Sequence, residues 1–189
     1  MKQQSKIQIM TISALLCAIG IIIPMYAPKI MIEPASFTLA SHVPVFIAMF
    51  ISPVVAASVA VITGFGFMFA GFPPVVVLRA LTHVIFAVIG AYILKKNTKI
   101  FSSPKSSVPF GVLISIIHAV CEVAIVTAFY WGNNMSEAYY KNGYFMSVII
   151  LVGIGTFIHS LVDLSIATLV WKPIQNTISI PASVRIARK

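Results

Sequence analysis

The sequence contains few charged residues, and this scarcity excludes most classes of soluble protein. Lys and Arg number 13 and Asp and Glu only 4 in 189 residues, so 9% of the chain is charged, whereas a soluble domain averages about 25%. Hydrophobic residues make up 59% of the chain, and the mean hydropathy is +1.01. A soluble enzyme and a disordered regulator are therefore excluded, and a small polytopic helical membrane protein is predicted.

The sequence is also poor in cysteine and lacks the common catalytic motifs. Its two cysteines, Cys17 and Cys121, lie inside apolar runs, so they indicate neither a disulfide scaffold nor a zinc or redox pair. There is no GxxxxGK[ST] loop for ATP, no HExxH and no GxSxG. We therefore expect no catalytic residue, no cofactor and no ATPase activity in this chain. No two histidines share a helix at ligand spacing, which disfavours a metal site.

Six apolar runs, separated by proline, glycine and polar turns, predict six transmembrane helices in one integral membrane domain covering residues 1–189. A spanning helix needs roughly 20 apolar residues. The runs are uniformly apolar rather than alternating, so we expect no strands. The first run continues into Pro24 and Pro28 without a small-residue cleavage site, and we expect it to be retained as a helix. The predicted helices cover about residues 7–23, 39–51, 54–70, 75–94, 108–131 and 144–171.

The positions of Lys and Arg predict the orientation in the bacterial cell membrane, because cytoplasmic loops carry an excess of both. With six helices, both termini and the connector at residues 95–107 share one side. That side holds ten of these residues, whereas the other holds only Lys29 and Lys141. Both termini are therefore predicted to be cytoplasmic. The basic segments would also contact anionic membrane lipid. No basic stripe alternates with exposed aromatic residues, which argues against a nucleic-acid partner.

Ionisable side chains within the predicted helices indicate a polar pocket, because such groups are costly in a membrane and usually serve function. Arg79 lies about four residues, roughly 6 Å, from the outer end of its helix, and His83 is one turn deeper. Glu122 lies about nine residues, roughly 14 Å, from the outer end of the fifth helix. We predict a substrate pocket formed by these three side chains and by His42, beside Pro44. The alternative is a structural Arg79–Glu122 ion pair between helices.

Three further polar residues lie inside the predicted helices. His118 is one turn from Glu122; it belongs either to the pocket or to a hydrogen bond that joins helices. His159 and Asp163 are four residues apart, toward the cytoplasmic end of the sixth helix. We expect them to form a structural pair there.

Aromatic residues cluster at the predicted outer end of the fifth helix. An interfacial aromatic belt explains most of them. Trp131 is followed closely by Asn133, and this pair could offer a stacking face and amide hydrogen bonds to a flat heterocycle. We therefore include both among the candidate substrate-binding residues.

The first helix contains Ala14 and Ala18, small residues four positions apart that would let another helix approach closely. Ordinary internal packing is the alternative. Together with the chain length, the six helices, the internal termini and the outer pocket, this step resembles the substrate-binding S-component of energy-coupling factor (ECF) vitamin transporters. The resemblance implies that the protein captures a vitamin from outside and docks, through its first three helices, onto a transmembrane coupling subunit driven by two cytoplasmic ATPases. Ala14 and Ala18 would then belong to the docking surface.

Two segments are similar to the niacin-type S-components. They are residues 33–44 (EPASFTLASHVP) and residues 77–83 (VLRALTH). The resemblance implies nicotinate as the substrate, and Arg79 could bind its carboxylate in bidentate fashion. Glu122 would repel that carboxylate unless it pairs with Arg79, contacts another part of the ligand or is protonated.

Other functions remain open from the residues alone. Pantothenate is another carboxylate that Arg79 could bind, and a hydroxymethylpyrimidine would depend on Glu122 and the asparagines instead. From a different class, an intramembrane enzyme would use Glu122, His118 and Asp163, although no paired-carboxylate or Ser/His constellation lies at one depth. A purely structural assembly subunit would not need Arg79 within the membrane.

Overall fold

The computed structural model describes residues 2–32, 35–177, 180–182, 184 and 186. Some residues used in the sequence analysis lie outside the described part of the chain. They are Glu33 and Pro34 of the segment similar to the niacin-type S-components, and Arg185, Arg188 and Lys189 of the charge count. In the part of the chain that is described, the helices are α1 (Lys2–Tyr26), α2 (Val43–Ile51), α3 (Pro53–Phe69), α4 (Pro74–Lys96), α5 (Pro104–Trp131), α6 (Glu137–Lys141) and α7 (Gly155–Thr177). A short 3₁₀ turn (Ile100–Ser102) precedes α5, and a π-helix (Phe145–Ile154) runs directly into α7.

The predicted helical membrane architecture is confirmed, but the helices differ in length. Among the described residues, four are long and apolar enough to span a membrane: Gln4–Tyr26, Pro74–Lys96, Pro104–Trp131 and Phe145–Thr177. The second and third runs are shorter. α3 has 17 residues and α2 has only nine, so α2, at about 14 Å, extends over only about half of the hydrocarbon core.

Proline sets where three of the helices begin. Pro53, Pro74 and Pro104 each occupy the first position of a helix, where the missing N–H costs nothing and the fixed φ favours the helix. Ser52 and Ser103 precede two of them and accept hydrogen bonds from backbone N–H groups of the first turn. These caps separate α2 from α3 and define the start of α5.

The short helix α2 is the centre of the bundle. All nine of its residues are buried, and it contacts α1, α3, α4 and α7. Its Phe46 ring lies 5.3 Å from the Phe86 ring, and its Phe50 ring lies 6.1 Å from the Trp171 ring. Because α2 is surrounded, residues that immediately precede it are held deep inside the molecule.

The described part of the C-terminal segment packs against the end of α2. The Val184 N–H donates to the Phe50 carbonyl at 3.2 Å, and the Trp171 indole N–H donates to the Val184 carbonyl at 3.2 Å. The Gln175 side chain makes two hydrogen bonds with the Ile186 backbone. Val184 is completely buried, so this segment fills space that the nine-residue helix leaves open.

The expectation that the chain has no strands is wrong for the loop after α1. Residues Lys29–Ile32 (β1) pair with Ala35–Thr38 (β2) as an antiparallel hairpin, with Lys29 opposite Thr38. Uniformly apolar runs exclude a membrane barrel but not a short hairpin whose two strands satisfy each other's backbone groups. Phe37 of β2 packs against Gly155, where an added Cβ would overlap the ring. The hairpin therefore covers one end of the bundle.

Candidate functional site

A cavity of about 310 Å³ lies between the hairpin and the helix bundle. It is framed by α1, α3, α4, α5 and α7, and the β-hairpin closes one side. Several of the side chains that line it are polar. The residues that line it are Pro24, Lys29, Phe37, Thr38, Ser41, His42, Val45, Thr63, Phe67, Phe72, Pro73, Val76, Arg79, Ala80, His83, Glu122, Thr156 and His159.

Glu122 connects three helices at the cavity. Its Oε2 accepts hydrogen bonds from Arg79 Nη2 at 2.6 Å and from the Thr156 hydroxyl at 2.7 Å. Its Oε1 lies 3.4 Å from His83 Nε2 and 3.5 Å from His118 Nε2. Glu122 is 3% exposed, so these contacts replace the water that a charged carboxylate needs. The pairing with Arg79 is one of the three arrangements that the sequence left open.

Asp163 forms a second connection, from α7 to the loop before α2. Its carboxylate accepts the Ala40 N–H at 2.9 Å and the His42 N–H at 2.8 Å. The same carboxylate lies 3.1 Å from His42 Nδ1 and 3.3 Å from His159 Nε2. The sequence placed His159 and Asp163 apart, as a structural pair near the cytoplasmic end. That placement is wrong, because both contact His42 and His159 lines the cavity.

A π-helix precedes these two residues. Residues Phe145–Ile154 form i→i+5 hydrogen bonds in place of the i→i+4 bonds of a regular α-helix. Asp163 lies directly beside His42, with 3.1 Å between Asp163 Oδ2 and His42 Nδ1.

Several polar atoms at this site have no hydrogen-bond partner within the described residues. They include Arg79 Nε and Thr63 Oγ1, which belong to residues that line the cavity, and His118 Nε2, which lies beneath it. Buried polar groups are normally paired. These buried, unpaired atoms lie in or next to the residues that line the cavity, and a few polar groups among apolar side chains are typical of a ligand pocket.

The structure brings together four of the six predicted substrate-binding residues, namely Arg79, His83, Glu122 and His42. The other two, Trp131 and Asn133, are not among the lining residues. Trp131 is 71% exposed, with its ring 5.5 Å from the Tyr144 ring. Asn133 is exposed in the turn after α5, with φ of 57°. Both lie outside the cavity, in a group of aromatic and polar residues at the end of α5, which is the position that an interfacial aromatic belt predicts.

Tyr139 of the short helix α6 belongs to the aromatic cluster at the end of α5, but the sequence did not indicate its link to the Arg79–Glu122 pair. It is 8% exposed. Burial raises the pKa of its hydroxyl, the Arg79 charge lowers it, and the Glu122 charge raises it slightly further. Its phenol therefore belongs to the electrostatic surroundings of the Arg79–Glu122 pair.

Thr156 and Ser160 are further polar residues that sequence reasoning missed. Thr156 bonds Glu122, and the Ser160 hydroxyl lies 3.2 Å from His118 Nδ1. With Asp163 they form a polar stripe at spacings of four and three residues on the buried face of α7. That spacing is the signal that could have identified them.

The small residues of α1 lie away from the cavity. Ala14 and Ala18 are both exposed, whereas Leu16, Cys17 and Gly20 form the face of α1 that packs against the bundle. Ordinary internal packing therefore does not explain the Ala14–Ala18 step. A face with small side chains remains open to another helix.

No protein-family model matches the chain, and no solved structure matches it significantly. Among curated proteins, the chain is similar to the niacin transporter NiaX of Lactococcus lactis subsp. cremoris (strain MG1363). The two sequences are 39% identical over 166 residues, which cover 87% of this chain and 73% of the relative.

Proposed function

This chain belongs to the niacin-transporter S-components of ECF importers, multi-pass proteins of the bacterial cell membrane, and we propose that its cavity captures nicotinate. The relative is named as a niacin transporter, and transport is consistent with the apolar helices found here. The protein would supply the binding step of uptake, while ATP hydrolysis would come from other subunits. The observation that carries this proposal is a buried Arg79 that lines the cavity and is fixed by Glu122.

Arg79 is held in place and still has binding capacity. Its Nη2 donates to Glu122 at 2.6 Å, while its Nε has no partner within the described residues. Its side chain is 19% exposed, toward the cavity. A guanidinium is always charged and offers a planar fork of donors that matches a carboxylate. The nicotinate carboxylate would bind the guanidinium N–H groups that are exposed to the cavity, while Glu122 holds Nη2.

The remainder of the cavity suits a small flat ring. Phe37, Phe67 and Phe72 line it, and the rings of Phe67 and Phe72 stack with centroids 4.6 Å apart. Thr63 also lines the cavity, and its hydroxyl is buried without a partner within the described part of the chain. A volume of about 310 Å³ is at the lower end of the range of roughly 300–1,000 Å³ found for ligand pockets. This fits a single-ring vitamin.

The exposed face of α1 would dock onto the ECF coupling subunit, which carries two cytoplasmic ATPases. Ala14 and Ala18 lie on that face together with large apolar side chains such as Ile7 and Met10, which are 59% and 70% exposed. In this arrangement six helices lie in the membrane and both termini are cytoplasmic. The charge count supports that orientation.

The proposal is tested by thermal unfolding of the purified protein in the presence of a panel of vitamins. A ligand at 100 times its dissociation constant adds about 2.7 kcal/mol to stability. Nicotinate should raise the unfolding temperature, whereas pantothenate and hydroxymethylpyrimidine should not. Stabilisation by one of the latter instead would show that the substrate is wrong while the binding role stands.

A further inference from the structure

The four histidines of the chain meet in one cluster, although they belong to different elements. His42 precedes α2, His83 lies on α4, His118 on α5 and His159 on α7. The His42 ring centroid is 4.7 Å from that of His83, 4.6 Å from that of His118 and 5.0 Å from that of His159. Asp163 contacts His42 and His159, and Glu122 contacts His83 and His118. Aromatic packing or stacking on a ligand could be achieved by other rings, so neither explains why all four histidines converge here.

We propose that His42, His83, His118 and Glu122 bind a divalent transition-metal ion at the part of the cavity that His42, His83 and Glu122 line. Each offers one ligand atom, and these four atoms all lie within 4.8 Å of one another. A tetrahedral ion with bonds of about 2.1 Å places its ligand atoms about 3.4 Å apart. Glu122 Oε1 is 3.4 Å from His83 Nε2 and 3.5 Å from His118 Nε2, so two edges of the tetrahedron already have this length.

The outer contacts of two histidines are those of metal ligands. A ligating histidine usually bonds a carboxylate, carbonyl or hydroxyl through its second ring nitrogen. His42 Nδ1 lies 3.1 Å from Asp163, which leaves Nε2 for the ion. His118 Nδ1 lies 3.2 Å from the Ser160 hydroxyl, and its Nε2 is buried without a hydrogen-bond partner in the described residues. That unpartnered nitrogen would be a ligand.

The two oxygens of Glu122 are divided between two roles. Oε2 bonds Arg79 and Thr156, whereas Oε1 faces His83 and His118. A single carboxylate can therefore orient Arg79 for the substrate and ligate an ion with its other oxygen. Imidazole ligands select zinc, nickel, cobalt or copper rather than magnesium or calcium.

The balance of charge also favours an ion here. With neutral histidines, Arg79, Glu122 and Asp163 leave one net negative charge buried among apolar helices, and such a charge is costly. A divalent cation changes the sum to one net positive charge. A nicotinate carboxylate at Arg79 would then make the assembly neutral; this last step rests on the proposed function, whereas the metal site does not.

The test measures metal bound to the full-length protein, purified with an affinity tag that contains no histidine. After treatment with a chelator and dialysis, the protein is loaded with Zn²⁺ or Co²⁺ and the bound metal is measured by mass spectrometry. We expect one ion per chain, and Co²⁺ should give the strong visible absorption of a four-coordinate site. Mg²⁺ should not compete.

Paired variants identify the ligands. Loss of a residue that only hydrogen-bonds a metal ligand typically weakens metal binding about 10–100-fold. His118→Asn removes a proposed ligand itself, so Zn²⁺ binding should fall by more than this. His159→Gln is the matched control, because His159 contacts His42 and Asp163 but lies outside the proposed ligand set; it should keep the ion. Loss of metal in His159→Gln with retention in His118→Asn would move the site to His42, His159 and Asp163 and overturn the proposal.

Wild-type protein alone also decides the matter if a variant does not fold. A chain that stays free of Zn²⁺ and Co²⁺ after loading overturns the metal site, and nicotinate binding by that chain would leave the proposed function intact. A chain that binds one ion but no nicotinate supports the metal site and contradicts the proposed substrate.

Discussion

The backbone N–H of Ala40 donates a 2.9 Å hydrogen bond to Oδ1 of Asp163, which is 123 positions away in the sequence. Ala40 has φ of 65°, a backbone region that non-glycine residues adopt rarely and at some cost. The second oxygen of Asp163 accepts the N–H of His42 at 2.8 Å. One buried carboxylate on α7 therefore holds the strained loop that carries His42 into the cavity.

Asp163→Asn should destabilise the protein and weaken nicotinate binding. The amide keeps one acceptor oxygen but turns an NH₂ group toward a backbone donor, so at least one charge-assisted hydrogen bond is lost. Such bonds contribute about 1.5–3 kcal/mol. Thermal unfolding and titration calorimetry of the purified variant measure both effects.

Ser165→Ala is the matched control on the same helix. Its exposed hydroxyl bonds only the Leu161 carbonyl one turn earlier, so both stability and binding should stay close to wild type. If Asp163→Asn behaves like Ser165→Ala, Asp163 does not position the loop.

Arg79→Ala should weaken nicotinate binding strongly. Truncating one member of a buried charge pair costs about 2–5 kcal/mol, in part because the partner is left unpaired, which corresponds to roughly 30-fold to several-thousand-fold in affinity. Arg79→Lys should restore little, because an ammonium lacks the planar fork. Nicotinamide, which has no carboxylate, should bind wild type far less well. Lys95→Ala, at the exposed end of the same helix, should leave calorimetric affinity unchanged.

A double variant separates the ligand role of Arg79 from its structural role. Replacing a buried ion pair with uncharged residues of similar volume often restores stability, so Arg79→Met with Glu122→Gln should unfold at a temperature close to wild type. Nicotinate binding should remain lost. Recovery of binding along with stability would mean that Arg79 serves only as the partner of Glu122.

Ala14→Trp and Ala18→Trp should abolish vitamin uptake by cells while leaving binding by the isolated protein intact. Both residues are exposed on the face of α1 away from the cavity, where a large ring would block the close approach of another helix. Leu169→Trp, at a 71% exposed position of α7, adds the same ring elsewhere and should leave uptake near normal. If calorimetric affinity falls in step with uptake, α1 belongs to the binding site instead.

Single cysteines at positions 97 and 134 should react from opposite sides of the membrane. Asn97 and Asn134 are both exposed in the connectors that follow α4 and α5, and the native Cys17 and Cys121 are first replaced by Ala. An impermeant thiol reagent should label the cysteine of Asn134→Cys in intact cells, and that of Asn97→Cys only after permeabilisation. Equal labelling of both in intact cells would contradict the topology.

Residue type and position along the helices were sufficient to predict the polar core of the site. Arg79, His83 and Glu122 are ionisable residues inside apolar runs, and this alone marked them. His42 was included because of its position beside Pro44. The predicted starts of α3 and α4 lie within one residue of those observed, because Pro53 and Pro74 occupy the first helical position, whereas α5 begins at Pro104, four residues before the predicted start.

Tertiary arrangement could not be predicted from the sequence. The sequence disfavours a metal site because no two histidines share a helix at ligand spacing, and spacing along one helix does not reveal histidines that converge from different elements. The convergence of His42, His118 and His159 depends on a nine-residue α2, on the hairpin and on the π-helix, and apolar composition does not specify any of these. Trp131 was misplaced for the converse reason, since proximity in sequence to a pocket helix does not turn its ring toward the cavity.

The length of α3 has a consequence for the surrounding lipid. Its 17 residues extend about 26 Å, yet Val54, Ile62, Phe65 and Phe69 are large, exposed and apolar from one end to the other. A bilayer with a hydrocarbon core of about 30 Å must thin beside this helix, at a fraction of a kcal/mol for each ångström. The protein should therefore partition toward lipids with shorter acyl chains, and membrane thickness becomes a variable that sets where in a mixed bilayer the subunit is found.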